Sequence, residues 1–554
     1  MTGPGGRSGG AGGPGGRSGG AGGPRVIVVG GGLAGLSAGL ACADAGAAVT
    51  LLECRPRLGG ATWSFRRGDR WFDNGQHVFL RCCTAYRGFL DRIGSTAGTR
   101  LQERLTIPVL TPGGRPGWIR RTSLPVPLHL AAALAGYRHL GLADRARLGP
   151  VAVALSRLDL SDPTLDRVTF GAWLAARGQG ERAVAALWNL ITQPTVNLPA
   201  SRASLAMAAK VFQTGLLSGP DAADIGWARV PLAHLHGDPA RAALERAGAD
   251  VRLRARVDVI EVPGTPGTSH ANGSTTTARP AGPAVVVDGE RLLADSVILA
   301  VPHDAAAQLL PPGSVPGQER LPELGTSPVV DVHVVYDRRV TDLELAAGLG
   351  TPVQWLFDRT SAAAGGRAAG GRADPAGQVL AVSLSAADEW VGRRPEELID
   401  TFVAALAQLL PRARSARVLD AVVSRERAAT FAATPGSAAL RPGPRTATPG
   451  LVLAGAWTDT GWPATMEGAV RSGLAAAHQA LAHTGLTRGL PAVPHDRPAW
   501  LSPSRPLWPG AARRAGGRAG ALGAGGRAGD QRSGEPGDAR PAPSEPHRAV
   551  EVVA

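Results

Sequence analysis

Residues 25–53 read RVIVVGGGLAGLSAGLACADAGAAVTLLE. Arg25–Gly30 is a short β-branched run of the kind buried on both faces of a parallel sheet. Gly30, Gly32 and Gly35 come next as G-x-G-x-x-G. The Ala/Leu/Ser-rich stretch from about Leu33 to Ala45 predicts a helix, and Gly46 stops it. Ala48–Leu52 predicts a second buried strand, ending at Glu53. Each part has a mechanical job in holding a dinucleotide. Gly30 makes the tight turn, Gly32 lets the backbone approach a pyrophosphate, and Gly35 lets helix and strand pack closely. Leu33, Ala34 and Gly35 open the helix, whose unpaired N–H groups point at phosphate oxygens. Glu53, 18 residues after Gly35, is placed to accept hydrogen bonds from ribose hydroxyls. An acid there favours an unphosphorylated ribose, hence FAD or NAD over NADP. In a chain this rich in glycine a lone G-x-G-x-x-G says little. The strand–turn–helix–strand–Glu order gives this one its meaning.

The residues just after that strand select FAD. Glu53-Cys54-Arg55-Pro56-Arg57-Leu58-Gly59-Gly60 resembles the E-x-R-x-x-x-G-G extension of the flavin amine oxidases, phytoene desaturases and protoporphyrinogen oxidases. The resemblance implies that Cys54, Arg55, Gly59 and Gly60 lie along the cofactor. Those families usually carry Arg next, where this chain has Ala61. Asp73-Asn74-Gly75-Gln76-His77-Val78-Phe79 resembles the D-N-G-Q-H segment of the hydroxysqualene dehydroxylases. That implies a place beside the flavin for Asn74 and Gly75, and makes His77 a candidate for a catalytic proton role. The same residues also read as a polar turn opening a strand, with His77 merely hydrogen-bonded. Near the far end, GLVLAG (450–455) predicts another buried strand, and AWTDTGWPATMEGAVRSG (456–473) comes after it. This resembles the second FAD motif of the superfamily. It implies cofactor contacts from Gly455, Ala456, Thr465, Met466 and Glu467, the last three through backbone N–H groups at a helix start. Many relatives have Asp where Ala456 stands. Val251–Ile260, with Val257, resembles the return strand whose backbone touches the adenine. No covalent-flavin cysteine motif is evident, so the FAD is expected to be non-covalent.

Asp295–Pro302, Ser327–Asp337, Trp355–Arg359 and Arg425–Pro442 resemble further family segments in matching order. The resemblance thus covers most of residues 25–485. It implies an α/β fold: a doubly wound, Rossmann-like FAD-binding domain from roughly 25–95, 230–310 and 420–485, with a mixed α/β substrate domain from the rest. It also implies reductive dehydroxylation of hydroxysqualene to squalene, on the route to hopanoids. Two other readings stay open. One is a carotenoid desaturase or amine oxidase of the same superfamily. The other is a non-catalytic FAD-binding partner of squalene-forming transferases.

Composition sets the remaining bounds. A chain of 554 residues has room for two domains. The formal charge of +14 is almost all arginine, with Lys210 the one lysine. No RNP, helix-turn-helix or zinc-finger signature turns that charge into nucleic-acid recognition. Cys42, Cys54, Cys82 and Cys83 form neither a disulfide framework nor a metal spacing. A reducing cytoplasm is expected, with peripheral contact to the inner face of the cell membrane. Residues 1–24 repeat GGRSGGAGGP, and residues 486–554 are rich in Pro, Gly, Ala and Arg; both read as disordered tails. Pro263–Pro283 and Ala362–Gly377 read as inserted surface loops. Leu124–Leu155 is apolar but too dense in Arg138, His139, Asp144, Arg145 and Arg147 to span a bilayer. It reads either as amphipathic helices admitting a lipid or as ordinary helices capping the substrate domain. Trp188, Trp227 and Trp355 are candidates to pack against an isoprenoid chain.

Overall fold

A computed structural model describes residues 23–262, 282–366, 377–486 and 550–553. The elements that position the site are, in chain order, β1 (Arg25–Val29), α1 (Leu33–Asp44), β2 (Ala48–Glu53), α2 (Thr84–Ile93), β3 (Asp250–Leu253), β4 (Ser296–Leu299), β5 (Thr326–Tyr336), β6 (Trp355–Asp358), β7 (Gln378–Ser385), β8 (Val418–Phe431), β9 (Leu451–Leu453) and α3 (Met466–His483).

The expected parallel sheet is present, five strands in the order β3-β2-β1-β4-β9. Both its faces are covered. Val26, Val28 and Leu51 pack with α1, α2 and α3 on one side. Ile27, Val29 and Leu52 pack on the other against the antiparallel strands that begin at Val257. This is why β1 and β2 read as continuous apolar runs instead of alternating ones. Helix α1 ends at Asp44, with Ala45 as its cap and Gly46 at φ +95°. A methyl group at Gly35 would lie 1.9 Å from the Gly30 carbonyl oxygen, so only glycine lets the helix start this close to the strand. Val251–Ile260 is not one strand. It breaks at Arg254 (φ +56°) into β3, which joins the parallel sheet, and Val257–Glu261, which joins a separate three-stranded sheet.

The second layer is an eight-stranded mixed sheet in which β8, β5, β7 and β6 are neighbours. On one face Val330, Val332 and Val334 of β5 meet Leu398, Phe402 and Leu406 of the helix Pro395–Leu409. The period of two then sends Asp331 and His333 to the opposite face. Asp331 lies directly opposite Ser383 of β7 and Ser424 of β8. A helical layer spanning Leu142–Gly215 packs around Phe170, Trp173, Trp188 and Phe212. No helix among the described residues is long and apolar enough to cross a membrane.

Val550–Val553 runs parallel to β8 at the sheet edge. This amends the expectation of a structureless tail over 486–554 at its β-branched end. Residues 1–22, 487–549, and most of the two insertions (263–281 and 367–376) lie outside the described residues.

Candidate active site

The turn after β1 forms the first half of a cradle. Gly30 holds φ +106°, and a methyl there would lie 2.4 Å from the Ala300 carbonyl oxygen. Gly32 differs: its backbone is ordinary (φ −76°, ψ 176°), and the nearest atom to an added methyl is the Gly60 Cα at 3.7 Å. The space in front of Gly32 is therefore free of protein, which fits a pyrophosphate pressed against this backbone. Helix α1 opens with neither a side-chain cap nor an acidic residue in its first turn. Its first N–H groups, including those of Leu33, Ala34 and Gly35, face the same space.

Glu53 is buried and oriented by backbone. It accepts from the Gly31 N–H at 2.7 Å and the Arg55 N–H at 2.8 Å, and the Cys54 thiol lies 3.4 Å away. A carboxylate has more acceptor sites than these, and the remainder can take ribose hydroxyls. Gly59 donates to the Gly31 carbonyl at 2.9 Å, and Gly60 backs onto Gly32. The Cys54 and Arg55 side chains are exposed.

The second half comes from residues more than 400 positions away. Gly473 of α3 sits so close to α1 that a methyl would fall 2.1 Å from the Ala34 carbonyl oxygen. Ser37 also donates to the Val470 carbonyl at 3.3 Å. Gly455 (φ +143°) ends β9, and its N–H donates to the Ser472 hydroxyl at 2.9 Å. Thr465 caps α3 by accepting from the Gly468 N–H at 3.1 Å. Thr465, Met466 and Glu467 thus start a helix beside α1, as expected. The Glu467 carboxylate, however, serves the fold. It caps α2 at the Ala85 and Tyr86 N–H groups, at 3.1 and 2.7 Å, and holds Arg471 at 2.6 Å. Only the Glu467 backbone is left for a cofactor. Asp459, near Ala456, is exposed and accepts from the Gly461 N–H. Sequence reasoning missed Arg441. Its buried guanidinium donates to the carbonyls of Trp457, Thr458 and Trp462 at 3.1, 2.6 and 2.8 Å, fixing the loop after Gly455. No local pattern marks an arginine for that task.

Asp73–His77 spans the two layers. Asp73 accepts from the Ser64 hydroxyl at 2.6 Å and the Leu232 N–H at 3.0 Å, and pairs with buried Arg359 at 2.5 Å. Asn74 spends its side chain on the Trp63 N–H, the Ala61 carbonyl and the Glu426 carboxylate. Gly75 lies over Asp331: a methyl there would be 3.5 Å from the Asp331 carboxyl and 3.5 Å from the His77 ring. His77 has its Nδ1 3.1 Å from the Gly75 carbonyl, and burial lowers its pKa. Burial likewise lowers His333 to about 4 and His236 to about 3. Asp331 moves the other way. Burial, aided by nearby Asp73, raises its carboxyl to about 8 against the pull of Ser383 and Gln76. Neither Asp331 oxygen has a partner at full hydrogen-bond geometry. Val257 is buried at the start of the three-stranded sheet.

Beyond Gln76 opens a cavity of about 200 Å³, continuous with solvent. Its walls include Ile107, Leu134, Leu155, Trp188, Phe212 and Trp355, and among the described residues no Asp, Glu, Lys or Arg lines it. Trp188 and Trp355 thus face the cavity as expected, whereas Trp227 is buried core. Gln76, Ser383 and Ser385 form its polar end. From Leu124–Leu155, Leu130, Leu134, Leu148 and Leu155 line the wall, while Leu124, Leu128 and Leu142 are exposed. No cluster of His, Cys, Asp and Glu among the described residues could hold a metal ion.

Residues 33–481 match the family described as flavin containing amine oxidoreductase. The chain is 29% identical to the hydroxysqualene dehydroxylase of Rhodopseudomonas palustris over 470 residues, covering 82% of this chain and 98% of that protein. It is 25% identical to a 15-cis-phytoene desaturase of Solanum lycopersicum, over 81% of this chain and 76% of that one. A putrescine oxidase structure superposes with TM-score 0.60 at 19% identity, covering 83% and 99% of the two chains. Cyclohexylamine oxidase from Brevibacterium oxydans does so at 0.59 and 18%, with the same coverage. At that identity the structures speak for the fold alone. With the family match over most of the chain and the Gly32–Glu53 cradle fitted to its cofactor, the chain belongs to the flavin containing amine oxidoreductases and is an FAD-dependent oxidoreductase.

Proposed function

We propose that this enzyme reductively removes the hydroxyl of hydroxysqualene to give squalene. The observation that carries the reading is the cavity itself, uncharged and mostly apolar, with Gln76, Ser383 and Ser385 at one end and His129 and Thr195 as the other polar members of its wall. Ligand pockets are lined mainly by apolar and aromatic side chains with a few placed polar groups, and this uncharged lining suits a long isoprenoid with a single polar group. The likeness to hydroxysqualene dehydroxylases over nearly their whole length supports the same substrate. An amine is disfavoured, because a protonated amine would meet no carboxylate on this lining.

Bound FAD, once reduced, supplies the two electrons and the hydrogen that replace the hydroxyl. The protein's part is to bind and orient. Apolar walls hold the chain, exclude water and leave the hydroxyl to the polar end. A carotenoid-type desaturation is the second reading, supported by the match to 15-cis-phytoene desaturases. The two differ in electron flow: dehydroxylation consumes reduced flavin, whereas desaturation produces it. Anaerobic incubation of photoreduced holoenzyme with hydroxysqualene is expected to reoxidise the flavin and yield squalene. No squalene, together with reduction of oxidised enzyme by phytoene, would establish the desaturase instead. Flavin binding with neither reaction would leave the non-catalytic partner of squalene-forming transferases.

The reading extends to location. A substrate this apolar resides in bilayer, so the protein is proposed to work in the cytoplasm, on the inner face of the cell membrane. Exposed Leu124, Leu128 and Leu142 around the wall segment are the proposed contact, with neighbouring arginines meeting anionic headgroups.

A further inference from the structure

The reaction proposed above needs an acid. Hydroxide is a poor leaving group, and expelling it against apolar walls would add the cost of a poorly solvated charge. The hydroxyl must leave as water, so something at the polar end has to carry a proton. The nearby histidines are poor donors, because burial lowers the pKa of His77, His236 and His333, and of His129 in the cavity wall.

We propose that Asp331, buried beneath the Gly75–Gln76 turn, is the proton source for the departing hydroxyl, passing its proton through the Ser383 hydroxyl at the cavity wall. The proposal rests on the dehydroxylation reading. Three observations carry it. Asp331 is fully buried on a sheet face, with neither carboxyl oxygen engaged at full hydrogen-bond geometry. Ser383 is its register partner on β7 and faces the cavity, and directly opposed side chains on paired strands lie within about 5 Å. Gln76, which also lines the cavity, has a buried side-chain nitrogen with no partner at full hydrogen-bond geometry. An acid, a hydroxyl and an amide thus converge on the polar end of an apolar cavity.

The groups packed around Asp331 favour its neutral form. Asp73 above it is negative and already satisfied by Arg359, Ser64 and Leu232. Glu426 of β8 is engaged by Trp63 and Asn74, with Arg57 nearby. Ser424 donates away, to the Asn74 carbonyl. Burial lowers the pKa of both His333 and His77, and no cation among the described residues pairs with the Asp331 carboxyl.

The step balances. The C–O bond breaks and its electron pair stays with oxygen. That oxygen takes the proton relayed from Asp331 and departs as water. A C–H bond forms with two electrons from reduced flavin, the reductant, which is oxidised as the substrate is reduced. The Asp331 carboxylate then recovers a proton from solvent.

The test uses holoenzyme, with the flavin spectrum confirming that each variant is folded and loaded. In wild type, single-turnover flavin reoxidation by hydroxysqualene should fall as pH rises through about 8. Asp331→Asn should lose about 100-fold or more in that rate, with substrate affinity unchanged and the alkaline fall abolished. Asp331→Glu should recover part of the rate. Ser383→Ala should slow turnover while the infrared carbonyl band of a protonated carboxyl, present in wild type at neutral pH and absent from Asp331→Asn, persists. Squalene formation by Asp331→Asn at the wild-type rate, with the same alkaline fall, would overturn the proposal and leave the dehydroxylation reading intact. Absence of that infrared band from wild type would also overturn it. A wild type that makes no squalene would instead remove the reading beneath it.

Discussion

Replacing Gly32 by alanine separates the demands of the fold from those of the cofactor. Gly32 has φ −76° and ψ 176°, which alanine adopts without strain, and its added methyl would meet no protein atom closer than 3.7 Å. In the flavin-free protein the substitution should therefore stabilise slightly, by about 0.4–1 kcal/mol, because it restricts the unfolded chain. In the holoenzyme the methyl takes the space of the pyrophosphate. Displacing that group loses one or two hydrogen bonds to charged oxygen, each about 1.5–3 kcal/mol. At about 1.4 kcal/mol per tenfold, FAD affinity should fall roughly 10- to 100-fold or more. Gly35→Ala is the control. Its methyl would sit 1.9 Å from the Gly30 carbonyl oxygen, so the helix must move and stability should drop by roughly 1–3 kcal/mol with or without FAD. Thermal melts of flavin-free and loaded protein, with FAD titration by fluorescence quenching, measure both effects. Wild-type FAD affinity in Gly32→Ala, or a flavin-free protein destabilised by it, would refute the cradle as described.

Buried charge and exposed apolar surface carry the other expectations. Asp331 holds its proton up to about pH 8 when folded and only to about 3.8 when unfolded. The pH-dependent cost of its burial is therefore absent below pH 4 and grows progressively as pH rises to 8. Asp331→Asn should be stabilising at pH 7, by at most roughly 4 kcal/mol, and should lose that advantage at pH 4 in urea melts; a gain independent of pH would contradict this. Arg359→Met strands the buried Asp73 carboxylate and should cost about 3–5 kcal/mol, part of it recovered in Asp73→Asn/Arg359→Met; no recovery in that double variant would show the pair to be uncoupled. Leu128 is 54% exposed, and Leu128→Ser should weaken binding to anionic vesicles by up to roughly tenfold with FAD content unchanged. Equal vesicle binding would remove this segment as the membrane contact.

The cradle was legible because its parts are local. Strand, turn, helix and acid occupy 25–53 without interruption, and each residue's task is set by its neighbours in sequence. Legibility ended where a side chain's partner lies far along the chain. Glu467 sits in a recognisable motif, yet its carboxylate goes to the start of α2, at Ala85 and Tyr86. Arg441 gives no sign in sequence that it closes over the carbonyls of Trp457–Trp462. Asp331 looks like the polar member of an alternating strand. Only the register of β5 with β7 and β8, and the turn laid across them, buries it. The break at Arg254 is likewise a tertiary effect, since Ala255 donates to the Glu53 carbonyl and ties β3 to the end of β2.

Single turnover in heavy water tests the central claim most directly. Holoenzyme photoreduced anaerobically in D₂O carries exchangeable deuterium on the reduced flavin. Mixed with hydroxysqualene, it should return to the oxidised flavin spectrum and release squalene with one deuterium on carbon, mole for mole with flavin. Flavin that stays reduced while hydroxysqualene is recovered unchanged, or squalene that carries no deuterium, would contradict the account.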